Sequence, residues 1–378
     1  MNNANELIRP FSDFNKSISE NMRKLKEETG KKMIGYDCTY VPVEMILAAD
    51  MIPVRMLSYP QTITLADASL QSFSCNICRS YLDQLLRGQL QYLDGLVTPK
   101  VCDTLQYAHD IQRRHRCVDF DYFLQLPAET SSDASRAWWE QELKLFKEAL
   151  ENFSGNKITD EKLADAIKLM NKIRKTLRDI YRIRVEKTPA IYGYQVLEVI
   201  LAVMQAPSSD YVLKLEKLRD DLQEMEEISR DKIRLMLIGS TIDFTELELL
   251  KEFESSKGIF VTDETCTGMR WIMKDADTSG DPFRSILDSN WYSGFCAAKY
   301  PSDIRFDNIK KLAETAKVEG AVIILEKYCD PFGFAVPDTK KLLNNMGIKT
   351  LFIEASEVGA LGQVKTRAQA FFEMIGGV

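Results

Sequence analysis

Two blocks of short apolar strands alternating with helices, separated by a stretch that is helical throughout, constrain this chain more than any other feature. In the first block, about residues 1–155, strands are expected at 33–36, 51–56, 93–98 and 118–126. Helices are expected between them at 43–50, 81–90, 104–114 and 135–152. The middle stretch, 156–228, places Leu163, Ile167, Ile173, Leu177 and Ile180 near helical spacing, and predicts helices over 160–185, 190–204 and 209–230. The third block, 229–378, returns to alternation. Strands are expected at 233–238, 258–262, 320–325 and 350–353, with helices at 244–254, 303–317, 339–346 and 364–375. Strands joined by helices form parallel sheets covered on both faces. The fold class is therefore α/β: two doubly wound, Rossmann-like domains with an intervening helical region.

Chemistry in such sheets collects where strands end at their carboxyl side. Four cysteines fall just there: Cys38 after 33–36, Cys102 after 93–98, Cys266 after 258–262 and Cys329 after 320–325. A single cysteine is often a small packing hydrophobe, but four on corresponding edges form a pattern. The longest apolar runs are too short to span a bilayer, and residues 1–10 lack a secretory core. The chain is accordingly expected to be cytoplasmic, with its eight cysteines as thiols or metal ligands rather than disulfides. A net charge of −7 and the lack of a basic stripe with interleaved aromatics argue against nucleic acid as a partner. The run Arg113, Arg114, His115, Arg116 reads as a solvated helix end.

Cys75 and Cys78 form a C-x-x-C pair. By itself this suits a zinc half-site, a redox pair or one ligand of a cluster. No second C-x-x-C completes a zinc ribbon, and nothing around the pair reads as a thioredoxin-like setting. The turn Gly239, Ser240, Thr241 resembles a phosphate cradle, but no P-loop pattern is present, so nucleotide hydrolysis is assigned to a partner.

Four motifs in order resemble the 2-hydroxyacyl-CoA dehydratase / benzoyl-CoA reductase family. GYDCTYVPVE (35–44) is similar to its opening motif. Cys75 with Arg79 and Ser80 is similar to its first ligand motif, and LDGLV (93–97) leading to CDTL (102–105) to its second. AVII (321–324) leading to KYCDP (327–331) is similar to the third, and GIKTLFIE (347–354) with VKTR (364–367) also fits. The resemblance implies an anaerobic enzyme of two related subunits, each with an iron–sulfur cluster on three cysteines, here Cys75, Cys102 and Cys329. A separate ATP-dependent iron–sulfur activator delivers an electron at low potential to an acyl-CoA substrate. In the dehydratase branch a ketyl radical then loses water; in the reductase branch the ring of benzoyl-CoA is reduced.

DETCTGMRW (263–271), YLDQ (81–84) and YLDG (92–95) lean towards a benzoyl-CoA-reductase-type subunit, whereas the Cys329 context is as close to a dehydratase small subunit. Cys38, Cys266 and Cys296 also fall in family-like motifs. In some relatives six cysteines hold an eight-iron double cubane, which stands as the alternative to one four-iron cluster. Against it, those relatives continue their second motif in lysines, where this chain has Thr104, Leu105 and Gln106. Cys78 and Cys117 read as packing residues. His109, two turns beyond Cys102, is the candidate proton donor, and Glu44 and Asp103 are candidate acid–base or helix-capping groups. Arg79 and Lys327 are candidate contacts for the phosphates of CoA or for the cluster region.

Overall fold

The computed structural model describes residues 4–186, 189–228, 231–292, 296–355 and 361–376. Eight strands make two four-stranded parallel sheets. The first contains β1 (Met33–Tyr36), β2 (Ile52–Arg55), β3 (Gly95–Pro99) and β4 (Phe120–Leu124), ordered β2-β1-β3-β4. The second contains β5 (Ile233–Gly239), β6 (Gly258–Glu264), β7 (Gly320–Glu326) and β8 (Lys349–Ala355), ordered β6-β5-β7-β8. The two orders are the same: each sheet starts in its interior, adds one strand on one side and then two on the other. Both are Rossmann-like, as the alternation implied. β3, β6 and most of β7 are buried along their length, which is why they read as continuous apolar runs.

Each sheet reverses its direction of growth once, between β1 and β3 and between β5 and β7. Register places Ile34 beside Gly95 and Leu237 beside Val322 at these two seams. A crevice opens beyond the carboxyl ends of such a pair. Cys38 and Cys102 follow the first pair and Cys329 follows the second.

Helix Asp160–Glu186 packs on helices Val43–Ala48, Ser209–Glu224, Met269–Ile272 and Pro282–Tyr292, and so touches elements of both sheet units. Arg174 pairs with buried Glu44 at 2.6 Å and Arg178 with Asp275 at 2.5 Å. Helix Gly193–Gln205 packs against both β2 and β6. Its Val196, Val199 and Val203 are buried; burial between the sheets overrides the modest helix propensity of β-branched residues.

Several boundaries differ from the sequence reading. Helices Ala4–Leu7, Arg9–Lys16 and Ile18–Thr29 precede β1, where none was expected; Gly30 ends the last of them at φ +65°. The helix expected from 81 begins at Asn76, and the one expected from 339 begins at Asp330. Pro331 occupies the first turn of the latter, where its missing N–H costs nothing, and Pro337 lies inside it. The helix expected to reach Arg230 ends at Glu224, and 229–230 lie outside the described residues. Among the described residues no helix is long and apolar enough to cross a membrane.

Candidate functional site

The revised helix starts place the chemistry. Cys75 is the N-cap of helix Asn76–Leu86, Cys102 of Asp103–His115 and Cys329 of Asp330–Asn345. None of the three side chains caps its own helix through a hydrogen bond, so each sulfur is available to another partner. All three line one open cleft of about 1140 Å³, with Val101, Asp103, Thr104, Lys299, Tyr328, Asp330 and Phe334 among its walls. Two thiols thus come from the first sheet unit and one from the second.

Three helix N-termini meet at this cleft. Each carries partial positive charge and unsatisfied amide donors, which favours an anion. The amide dipoles of Leu105 and Phe332 favour the thiolate forms of Cys102 and Cys329, and those of Ile77 and Cys78 that of Cys75. Burial and the neighbouring Cys75 push the Cys102 thiol up to about 12, and the same two causes raise Cys329. Cys75 moves the other way: the thiol of Cys78 donates to it, which outweighs burial and holds Cys75 below the ordinary cysteine range. Cys78 is buried as expected of a packing residue, yet it also serves as this donor.

These thiols suit an iron–sulfur group by the chemistry of the donor set. Three soft ligands repel one another as thiolates, face a cleft large enough for a polynuclear group, and sit at helix N-termini whose amide dipoles favour negative charge of the kind such clusters carry. Among the described residues no set of three or more His, Cys, Asp or Glu is arranged to hold a single metal ion.

Cys38, Cys266 and Cys296 form a second set. Cys38 lies within electrostatic reach of both others, and Cys296 feels Cys266 most strongly after burial. The two sets are linked, because Cys296 also acts on Cys102. Cys296 Sγ accepts the Ala298 amide at 3.5 Å. Cys117 is half-buried and belongs to neither set.

The remaining candidates lie elsewhere. His109 is 3% exposed, packs its ring at a tilt on Phe123 with centroids 4.6 Å apart, and sits 3.3 Å from Asp121. Burial pushes the imidazole down and the Asp121 carboxyl up. His109 is not among the residues lining the cleft; it turns back towards β4. Glu44 is committed to Arg174. Arg79 pairs with Asp67 at 2.8 Å beside a second cavity of about 840 Å³ that also contacts Tyr59, Asn76 and Thr245. Lys327 is exposed and lies 5.2 Å over the Tyr328 ring.

Residues to which the sequence reading gave no role in the site complete the surroundings. Lys299 is 5% exposed on the cleft wall, where burial pushes its ammonium down to about 8. Glu326, three residues before Cys329, is pushed up to about 8 by burial and by Asp243 and Cys75, although Glu246 hydrogen-bonds to it. Asp83 is fully buried and gathers the loop that leads to Cys75. Spacing along the chain carries no signal for any of these, because each matters through a partner far away in sequence.

A family model described as 2-hydroxyglutaryl-CoA dehydratase, D-component, matches residues 38–375. The chain belongs to this family. Among curated relatives, the (R)-phenyllactyl-CoA dehydratase beta subunit of Clostridium sporogenes is 25% identical over 378 residues, 99% of this chain and 100% of the relative. A benzoyl-CoA reductase subunit of Thauera aromatica is 27% identical over 315 residues, 82% of each chain. The beta subunit of (R)-2-hydroxyglutaryl-CoA dehydratase of Acidaminococcus fermentans is 26% identical over 381 residues, 98% of this chain and 99% of the relative. All three are enzyme subunits, and the family match spans the segments that carry all six cysteines of the two sets.

Proposed function

We propose that this chain is the iron–sulfur subunit of an enzyme acting on an acyl-CoA thioester, with Cys75, Cys102 and Cys329 as the ligands of a four-iron cluster. One observation carries the reading: each of the three cysteines caps a different helix, and all three line one cleft. When bound, such a cluster supplies low-potential electron transfer to the substrate, while the protein supplies placement and restricts water. The three helix ends and their amides stabilise negative charge on the sulfurs, and Cys78 supports Cys75 by donating to it. Lys299 holds positive charge on the cleft wall, where a substrate carbonyl gaining electron density would be favoured. The cavity beside Arg79 suits the polar nucleotide end of CoA, and exposed Lys327 attracts its phosphates. His109 and Glu44, committed to Asp121 and Arg174, have no part in this reading.

Within the family we favour a benzoyl-CoA-reductase-type subunit, on the residues around Cys266; the alternative is a 2-hydroxyacyl-CoA dehydratase subunit. The relatives' subunit names support a homologous second catalytic subunit as partner. An ATP-dependent iron–sulfur activator is the electron source this reading requires. A second reading, in which all six cysteines hold a double cubane and the substrate is not a CoA ester, is favoured by the electrostatic contact of Cys102 with Cys296.

The test is iron and acid-labile sulfide per chain in protein purified without oxygen. Wild type should carry about four of each for one cluster, or about eight irons for the double cubane. Cys102→Ala and Cys329→Ala should strip iron while Cys117→Ala keeps it; full retention in the first two would overturn the ligand assignment. Turnover of benzoyl-CoA against a 2-hydroxyacyl-CoA, with partner and activator present, decides the branch.

A further inference from the structure

Cys75 lines the cleft, while Asn76 and Arg79, one residue and one helical turn further on, line the open cavity of about 840 Å³. The start of helix Asn76–Leu86 therefore stands between the two spaces. In the cavity the chain fixes an aromatic ring. Tyr59 lines the wall, and its ring rests on Phe244 with centroids 5.0 Å apart and planes 20° from parallel. Phe244 is not itself part of the wall, so it backs the Tyr59 ring. Tyr59 follows β2 and Phe244 follows β5, and the residues before them lock the two segments together. Buried Asp243 accepts the Ser58 amide at 2.7 Å and the Ser58 hydroxyl at 2.6 Å. The Tyr59 amide donates to the Ser80 hydroxyl at 3.2 Å, next to Arg79 in the chain.

Arg79 has most of its side chain covered, at 15% exposure, and directs Nε and Nη2 at the two oxygens of Asp67, each at 2.8 Å. A guanidinium takes paired oxygens in this fork geometry from carboxylate and phosphate alike. Asp67 is the exposed member of the pair, at 41%, on the short turn Ala66–Ala68. An ion pair open to water contributes little, so this carboxylate is easily displaced. The backbone just before it is held, because Asp83 accepts the amides of Thr64, Leu65 and Ala66. The Asp67 side chain can therefore swing aside without unfolding the loop. The positive end of helix Asn76–Leu86 adds to the attraction for a more highly charged anion.

We infer that Tyr59, Arg79 and Asp67 make a gated nucleotide subsite: Tyr59 stacks the adenine of a CoA thioester, Arg79 takes one of its phosphates, and Asp67 occupies the fork until that phosphate displaces it. This rests on the acyl-CoA reading above and deepens it. An aromatic face stacks a base at no cost in geometry, and a phosphate brings more charge to the fork than Asp67 does. With the nucleotide here, the pantetheine arm runs past the start of helix Asn76–Leu86 to the cleft that Cys75 lines. Asp67 makes the subsite selective, because a ligand without a phosphate leaves the carboxylate in place.

The test is calorimetric binding of the adenosine bisphosphate portion of CoA, with ATP for comparison, to the full chain purified without oxygen. Wild type is measured beside Arg79→Met, Tyr59→Leu and Asp67→Asn. Arg79→Met and Tyr59→Leu should each bind about tenfold more weakly than wild type. Asp67→Asn should bind about fivefold more tightly, because the competing charge is gone. The opposite signs decide the matter. Arg79→Met and Asp67→Asn break the same ion pair, so a merely structural role would move both in one direction. Weaker or unchanged binding in Asp67→Asn, or wild-type affinity in Tyr59→Leu or Arg79→Met, would overturn the subsite. If Arg79→Met proves unstable, the other two variants decide by themselves. Tighter binding of ATP than of the bisphosphate would overturn the assignment to CoA. No binding by wild type would overturn the subsite, while iron content and turnover would still decide the acyl-CoA reading. Binding with the expected variant effects, but no turnover of any acyl-CoA with partner and activator present, would overturn that reading and leave the nucleotide subsite standing.

Discussion

Asp83→Ala should release the loop that delivers Cys75. The wild-type carboxylate is fully buried, and its Oδ1 accepts three consecutive amides, from Thr64 at 2.9 Å, Leu65 at 2.6 Å and Ala66 at 3.0 Å. Arg87 closes the arrangement from the other side, bonding Oδ2, the Thr62 carbonyl and Thr64 Oγ1. A hydrogen bond to a charged group contributes about 1.5–3 kcal/mol. Three that share one oxygen do not add fully, so the local loss is on the order of 3–5 kcal/mol. Every 1.4 kcal/mol is tenfold in an equilibrium, so amides 64–66 should exchange hydrogen at least roughly a hundredfold faster in the variant. Mass spectrometry of peptides covering 57–75 reads this directly, and iron content should fall because Cys75 closes the same segment. Asp83→Asn, which keeps an oxygen acceptor, should lie between the two. Burial raises the Asp83 carboxyl, but Arg87 and the amides outweigh it and hold it below its ordinary range. A depressed folded-state value means stability that is complete above the unfolded value of about 3.9 and lost as pH falls through the folded one. Acid below about pH 4 should therefore loosen this loop in wild type and not further in Asp83→Ala. Equal protection of amides 64–66 in both proteins would refute the reasoning.

Glu264→Gln leaves Arg270 and Arg305 buried against Phe332 without their shared carboxylate; a loss of about 3–5 kcal/mol in urea unfolding is expected. His109→Gln should keep iron and turnover at wild-type levels, because the imidazole faces Asp121 and Phe123 rather than the cleft; a fall in turnover at constant iron would return it to the site. Gly268→Ala should destabilise by about 1–3 kcal/mol in thermal melts, since a Cβ there would fall 2.0 Å from Asp263 Oδ1, the acceptor of the Thr265 and Met269 amides.

The sheets were legible because most of their strands are buried apolar runs bounded by turns, a local property of the sequence; β4 and β8 at the sheet edges are only partly buried. The helix starts were not, and for identifiable reasons. Asn76 to Ser80 carries no apolar periodicity of its own, and Pro331, Gly333 and Pro337 read as breakers although the first sits where a helix tolerates proline. Those starts matter most, since they turn Cys75, read only as half of a C-x-x-C pair, and Cys102 and Cys329, read as residues after strand ends, into three N-cap residues on one cleft. The cysteine motifs pointed to the proposed ligands in order along the chain. They carried no information about Arg55, Lys299, Asp83 or Glu326, whose significance is burial without a local partner, a relation between distant segments. His109 illustrates the converse: spacing from Cys102 suggested a role, and the imidazole turned towards Asp121 on β4 instead.

The repeated strand order gives the site its logic. Each sheet unit alone offers a crevice at its own reversal, with thiols at strand ends but no complete ligand set: Cys75 and Cys102 belong to the first unit, Cys329 to the second. A group held by all three can bind only when the units are docked, so its binding free energy also stabilises their interface. Helix Asp160–Glu186, which touches elements of both units, and the buried Glu44–Arg174 pair preset that docking before any cluster arrives. The same geometry places Arg55. Arg55 leaves β2 of the first unit and reaches Thr241 after β5 of the second, so its charge sits at the seam between them.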